Sequence, residues 1–90
     1  MSRSASVNGL KRSGRWIDVG RGGLIAADRV VAVGRAGSAP IKRLLAAAGP
    51  KLVINLTYGE PRQTVLVLES GHLVVVSQSI ASVKQALEDL

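Results

Sequence analysis

Two short runs, Val65-Leu66-Val67-Leu68 and Leu73-Val74-Val75-Val76, are apolar at every position, and only Glu69-Ser70-Gly71-His72 separates them. A strand with one wet face alternates apolar and polar residues, whereas a strand apolar throughout asks for cover on both faces. The Ser-Gly punctuation between the runs reads as a tight turn, giving neighbouring strands at Thr64 to Leu68 and Leu73 to Val76. Whatever else this chain forms must cover a sheet from two sides.

The covering pieces are short. The stretch SAPIKRLLAAAGP, Ser38 to Pro50, carries its own helix signals. Ser38 can cap the first turn, Pro40 sits where an amide donor is dispensable, and Gly49-Pro50 is the stop. Its apolar face is Ile41, Leu44, Leu45 and Ala48, with Lys42 and Arg43 pointing elsewhere. A second amphipathic helix puts Ile80, Val83, Leu87 and Leu90 on one side, capped by Ser77 or Ser79. Two helices of roughly ten residues cover about one face of such a sheet. The other face then needs a partner subunit, since so large an exposed apolar patch is unusual on a monomer, and self-association is the expectation.

The remaining segments are extended and punctuated by glycine. Trp16 to Val19 reads as a strand, Gly20-Arg21-Gly22-Gly23 as a turn, Leu24 to Ala26 and Arg29 to Val33 as strands bent near Ala27-Asp28, and Leu52 to Leu56 as another. Thr57 to Arg62, with Gly59 and Pro61, is a loop. Residues 1–15, MSRSASVNGLKRSGR, show no period and read as a disordered basic arm, leaving residues 16–90 as one domain. The fold class expected is α+β: a small, mostly antiparallel sheet with two short helices. With no Phe, one Trp and one Tyr, its core is built from Val, Leu, Ile and Ala.

Charge narrows the function. The net charge is +6, and the arm holds Arg3, Lys11, Arg12 and Arg15 without an acid. A chain this basic favours a polyanionic partner, nucleic acid before membrane. No apolar run reaches the length of a membrane span, and the arm lacks the apolar stretch of a signal peptide. Its Arg- and Ser-rich, acid-free composition also leaves an organelle transit peptide open. The absence of Cys removes disulfides and thiolate metal sites and fits a cytoplasmic protein.

Catalysis has little to work with. The glycine-rich GRGG precedes an extended segment rather than a helix, which reads as a β-turn displaying Arg21 rather than a phosphate cradle. His72 is the only histidine and lacks the companions of a metal site. Asp18, Ser70 and His72 supply the residue types of a triad without a nucleophile elbow. No enzyme activity and no cofactor are expected. The basic side chains are the better candidates, because a guanidinium makes bidentate, always-charged contacts with phosphate. The candidates are Arg29, Arg62, Arg21, Arg35, Lys42 and Arg43, with Lys11 and Arg12 on the arm. Only Trp16 and Tyr58 could stack on bases, so stacking is not the main mode.

The ordered motifs WIDVGRGGLIAADRVVAV, SAPIKRL, INLTYG and VLVLESGHLVVVS resemble the RemA family of bacterial extracellular-matrix regulators, from about Trp16 to Leu87. That resemblance implies a DNA-binding transcription regulator assembled as a ring of identical subunits and acting on biofilm-matrix genes. It implies a DNA-facing role for the arginine that ends the ADR motif, Arg29, and for a pair of arginines directly after TYG. Here the second pair is replaced by Glu60 and Pro61, with Arg62 as the nearest cation. Two partners follow, double-stranded DNA and other copies of the chain. The substitution at Glu60-Pro61 keeps a second reading open: a ring-forming structural or protein-interaction module that has lost DNA binding.

Overall fold

The computed structural model describes residues 15–90; residues 1–14 of the arm, with its candidates Lys11 and Arg12, lie outside the described residues. Six strands and two helices follow: β1 Trp16–Asp18, β2 Leu24–Ala26, β3 Val30–Arg35, α1 Ala39–Ala48, β4 Val53–Leu56, β5 Thr64–Leu68, β6 Leu73–Val76 and α2 Ile80–Glu88. Single 3-10 turns at Ala27–Arg29 and Pro50–Leu52 lead into β3 and β4. β1 and β2 form an antiparallel hairpin, and the other four strands form one sheet in the order β3-β5-β6-β4.

The two apolar runs are the central strands β5 and β6, paired antiparallel with Leu66 opposite Val74. β3 lies antiparallel to β5 and β4 parallel to β6, so the sheet is mixed but mostly antiparallel. The edge strands β3 and β4 are therefore parallel to each other, joined through α1, with the β5–β6 hairpin filling the gap between them. This is a split β-α-β arrangement.

The helices do not share a face. On one side Leu66, Val74 and Val76 pack with Val83 of α2 and with Ile17, Val19 and Ile25 of the hairpin region. On the other, Val65, Leu73 and Val75 pack with Ala36 and with Ile41, Leu45 and Ala48 of the α1 side. The β1–β2 hairpin, folded back beside α2, supplies the cover that two short helices alone lack. Val65, Leu66, Val75 and Val76 are thus almost wholly buried within a single chain. The expectation that one sheet face needs a partner subunit is overturned, because it counted only helices as cover.

Two finer readings also change. Leu44 of α1 is 44% exposed and Leu90 likewise, so the buried stripe of α1 is Ile41, Leu45 and Ala48. Ser38 is the residue before α1, but its hydroxyl donates to the Arg35 carbonyl at 2.9 Å rather than accepting from the first turn. For α2, by contrast, Ser79 Oγ accepts from the Ser82 amide at 3.1 Å, a side-chain cap. Gly49, at φ 75°, ends α1 in a conformation that suits glycine.

Gly34 positions α1. It pairs with Val65 on the α1 side of the sheet, and a Cβ there would stand 2.7 Å from both Cγ1 and Cδ1 of Ile41. The missing side chain is the seat for the helix.

Candidate functional site

The strand directions sort the candidate cations into two ends. Arg35 pairs with Thr64 at the start of β5, whereas Val30 pairs with Leu68 at its finish. The first end therefore gathers Arg35, the start of α1, the loop from Thr57 to Gln63 and the segment Ser77 to Ser79. The second gathers the Ala27–Arg29 turn, the Glu69 to His72 turn and the Pro50–Leu52 turn. A five-residue strand, about 17 Å long, separates them.

At the first end two turns of the same kind meet. In Gly20 to Gly23 the amide of Gly23 donates to the Gly20 carbonyl at 2.9 Å, with Arg21 at φ 52° and Gly22 at φ 86° between them. In Thr57 to Glu60 the amide of Glu60 donates to the Thr57 carbonyl at 3.0 Å, with Tyr58 at φ 53° and Gly59 at φ 86°. Positive φ at both central residues is the signature of a type I′ turn, and Arg21 and Tyr58 hold positions that glycine or asparagine usually takes. Asn55 braces the second turn, its Oδ1 accepting from the amide and hydroxyl of Thr57.

The turns are tied to each other and to the sheet. Arg21 Nη2 donates to Glu60 Oε2 at 3.0 Å, with both side chains at least half exposed. The Tyr58 hydroxyl stands over Gly23, where a Cβ would come within 3.2 Å of it. Gln78 Nε2 donates to the Val19 carbonyl at 3.1 Å, and its own carbonyl accepts from Thr64 Oγ1 at 2.7 Å. Thr64 is fully buried, so this hydrogen bond satisfies a hydroxyl that has lost its water.

Beside this pair of turns opens a cleft of about 340 Å³ lined by Ala36, Gly37, Lys42, Leu45 and Arg62. Lys42 comes from α1 and Arg62 from the loop before β5. Neither forms an ion pair among the described residues, where the two pairs are Arg21–Glu60 and Arg29–Glu69. Arg43, the next residue of α1, is exposed and does not line the cleft. This end thus collects Arg21, Arg35, Lys42 and Arg62 against Asp18 and Glu60, and Asp18 is engaged in accepting from the Gly20 amide at 2.7 Å.

Arg29 is elsewhere, at the second end. Its guanidinium is paired with Glu69, and its carbonyl accepts from the Glu69 amide at 2.8 Å, a double tie between two turns. The hydrogen bond that the Arg29 guanidinium donates to Glu69, then the charges of Glu69 and Asp28, hold the Arg29 pKa above its ordinary value. Arg29 is charged at every pH at which the protein is handled. A single chain therefore brings Arg62 to Lys42 but not to Arg29.

The remaining sequence candidates separate. Ser70 Oγ and His72 Nδ1 share a hydrogen bond at 2.6 Å, but Asp18 is bound in the Gly20 turn at the opposite end, so no triad assembles. Among the described residues no cluster of His, Cys or acidic side chains has the arrangement of a metal site. No helix among them is long and apolar enough to cross a membrane. The two glutamate clamps and the Gln78 bridge were invisible to sequence reasoning, because partners 39, 40 and 59 residues apart leave no local pattern.

The split β-α-β sheet with a helix on each face defines a small α+β protein, and known proteins of similar sequence place it among regulators. A protein of Dictyoglomus turgidum named "Putative regulatory protein" is 43% identical over 62 residues, covering 68% of this chain and 73% of the relative. A similarly named protein of a Thermoanaerobacter species is 35% identical over 83 residues, covering 83% of this chain and 86% of its own length. The model of the RemA-like family, described as extracellular matrix regulatory protein A-like, matches residues 16–87, and the chain belongs to that family.

Proposed function

We propose that the protein is a cytoplasmic transcription regulator that binds the DNA backbone as a ring of identical subunits, acting on genes of the biofilm matrix. The observation that carries this reading is the basic end of the sheet, where Arg35, Lys42 and Arg62 have no ion-pair partner among the described residues. Phosphate contacts of this kind supply sequence-independent affinity. Arg21 and Arg29 are presented at the surface but each is held by a glutamate that phosphate must displace. The separation of Arg29 from Arg62 by the length of β5 gives assembly a role: a continuous basic track needs one subunit's second end beside its neighbour's first. Repetition around a ring then converts a few weak contacts into avidity. The arm, with Lys11 and Arg12, adds further cations to each subunit.

Self-association, no longer required by the sheet, is supported instead by exposed apolar side chains. Trp16 and Leu24 are each more than half exposed on the hairpin, Val31 is 64% exposed at a bulge of the edge strand β3, and Leu44 is exposed on α1. Glu60, tied to Arg21 where the family resemblance implies arginine, favours a second reading, a ring-forming interaction module without DNA binding.

Binding of the size-characterised full chain to a duplex of ~100 base pairs across a salt series separates the two, since phosphate neutralisation gives a steep salt slope. Tight binding that collapses with salt supports the regulator. An intact oligomer that leaves the duplex free at low salt supports the interaction module.

A further inference from the structure

We infer that the cleft between α1 and the loop before β5 is a seat for one phosphate group, the ligand class being phosphate esters no larger than a mononucleotide. The seat stands whether or not the chain binds DNA. Lys42 and Arg62 line the same concavity from two separate elements, and no acid lines it with them. Two like charges facing one cleft repel, and an oxyanion between them removes that repulsion and replaces it with two charge-assisted contacts. The two donors are complementary: Arg62 offers a planar fork, Lys42 a compact point charge.

The walls fit the rest of such a ligand. Ala36 and Leu45 make an apolar side, and Gly37 leaves the mouth open, since a Cβ there would meet nothing within 4 Å. A volume of about 340 Å³ lies at the lower end of the range for small-molecule sites. The Ala36 amide donates to the Gln63 carbonyl at 2.9 Å, which ties the two sides of the cleft to each other. An extended backbone phosphate does not need a concave apolar wall, whereas a phosphate carrying a sugar or base uses one.

The test is an amide NMR titration of the full chain with inorganic phosphate, with adenosine 5′-monophosphate and with adenosine. The two phosphates are expected to give saturable shifts confined to Ala36–Lys42 and the Arg62 segment, and adenosine none. Lys42→Ala and Arg62→Gln each weaken phosphate binding at least tenfold, and Lys84→Ala, which removes the same charge on α2, leaves it unchanged. Both target side chains are exposed, so an unchanged thermal midpoint checks that each variant is folded. Shifts that fail to saturate, spread over every cation, or respond equally to Lys84→Ala overturn the seat. Competition with a duplex identifies the source: displacement of adenosine monophosphate by DNA assigns the seat to the backbone, and simultaneous binding assigns it to a free phosphate ester. Loss of duplex binding with the phosphate titration intact removes the regulator reading and leaves the seat.

Discussion

Arg21 and Glu60 join the tips of two turns that are 39 residues apart in the chain, with Arg21 Nη2 3.0 Å from Glu60 Oε2. Arg21 itself holds a left-handed turn position at φ 52°, and Glu60 closes the turn in which Tyr58 is at φ 53°, so the ion pair links two turns of the same kind. An exposed pair of this kind stabilises by at most about 1 kcal/mol. Its larger consequence is for the proposed phosphate contacts, because it occupies a guanidinium that would otherwise face solvent.

Replacing Glu60 with Gln releases that guanidinium. The expected outcome is little change in thermal stability but tighter duplex binding and a steeper salt dependence, by about 0.9 in the log–log slope for each freed arginine that takes up a phosphate. Affinity and slope both equal to the parent protein's would remove Arg21 from the proposed DNA contact.

Substituting Gly34 by Ala tests the seat of α1. The added Cβ meets Ile41, whose stiff, β-branched side chain is buried, so the helix must shift. A loss of about 1–3 kcal/mol is expected by chemical denaturation. Ile41→Val in the same chain should recover part of it, a coupling that independent sites would not show.

Thr64 and Gln78 hold the hairpin to the sheet. Thr64→Val keeps the shape but leaves the Gln78 carbonyl without its donor, at a cost of about 1–3 kcal/mol. Gln78→Ala removes the link to the Val19 carbonyl, and hydrogen exchange should then accelerate in β1 and β2 before it changes in β5 and β6. Uniform acceleration would mean that the hairpin is not separately anchored.

How much of this was legible in the sequence depends on the range of the cause. The strands, the stop of α1 at Gly49 and both glycine turns rest on neighbours within a few residues, and periodicity and turn chemistry find them, whereas the stripe read on to Leu90 overruns α2, which ends at Glu88. The placement of the hairpin over Leu66 and Val74 does not. Ile17, Val19 and Ile25 form too short a pattern to announce which face they cover, so counting helices assigned that face to another subunit. The site was legible as a set of cations but not as a geometry. Nothing local to Arg29 or Arg62 says that β5 will hold them apart, or that Lys42 will turn toward one of them while Arg43 does not.

The same geometry gives the test of assembly. Because both faces of the central strands are covered within the chain, disrupting a ring should not unfold its subunits, and oligomer and fold become separable. Trp16 and Leu24 occupy the outward side of the hairpin, opposite the inward Ile17 and Ile25, where polar substitution removes exposed apolar surface without touching the core. The double change Trp16→Ser and Leu24→Ser is expected to shift sedimentation from the oligomer to the monomer while leaving the far-ultraviolet spectrum unchanged. Duplex binding should fall far more than any single loss of charge would cause, since avidity is lost together with the neighbour. An unchanged oligomer would direct the search for the interface to Val31 on the edge of β3 and to Leu44 on α1. A monomer that still bound the ~100 base-pair duplex with the parent affinity would show that one subunit's basic end is sufficient and would remove avidity from the proposed mechanism.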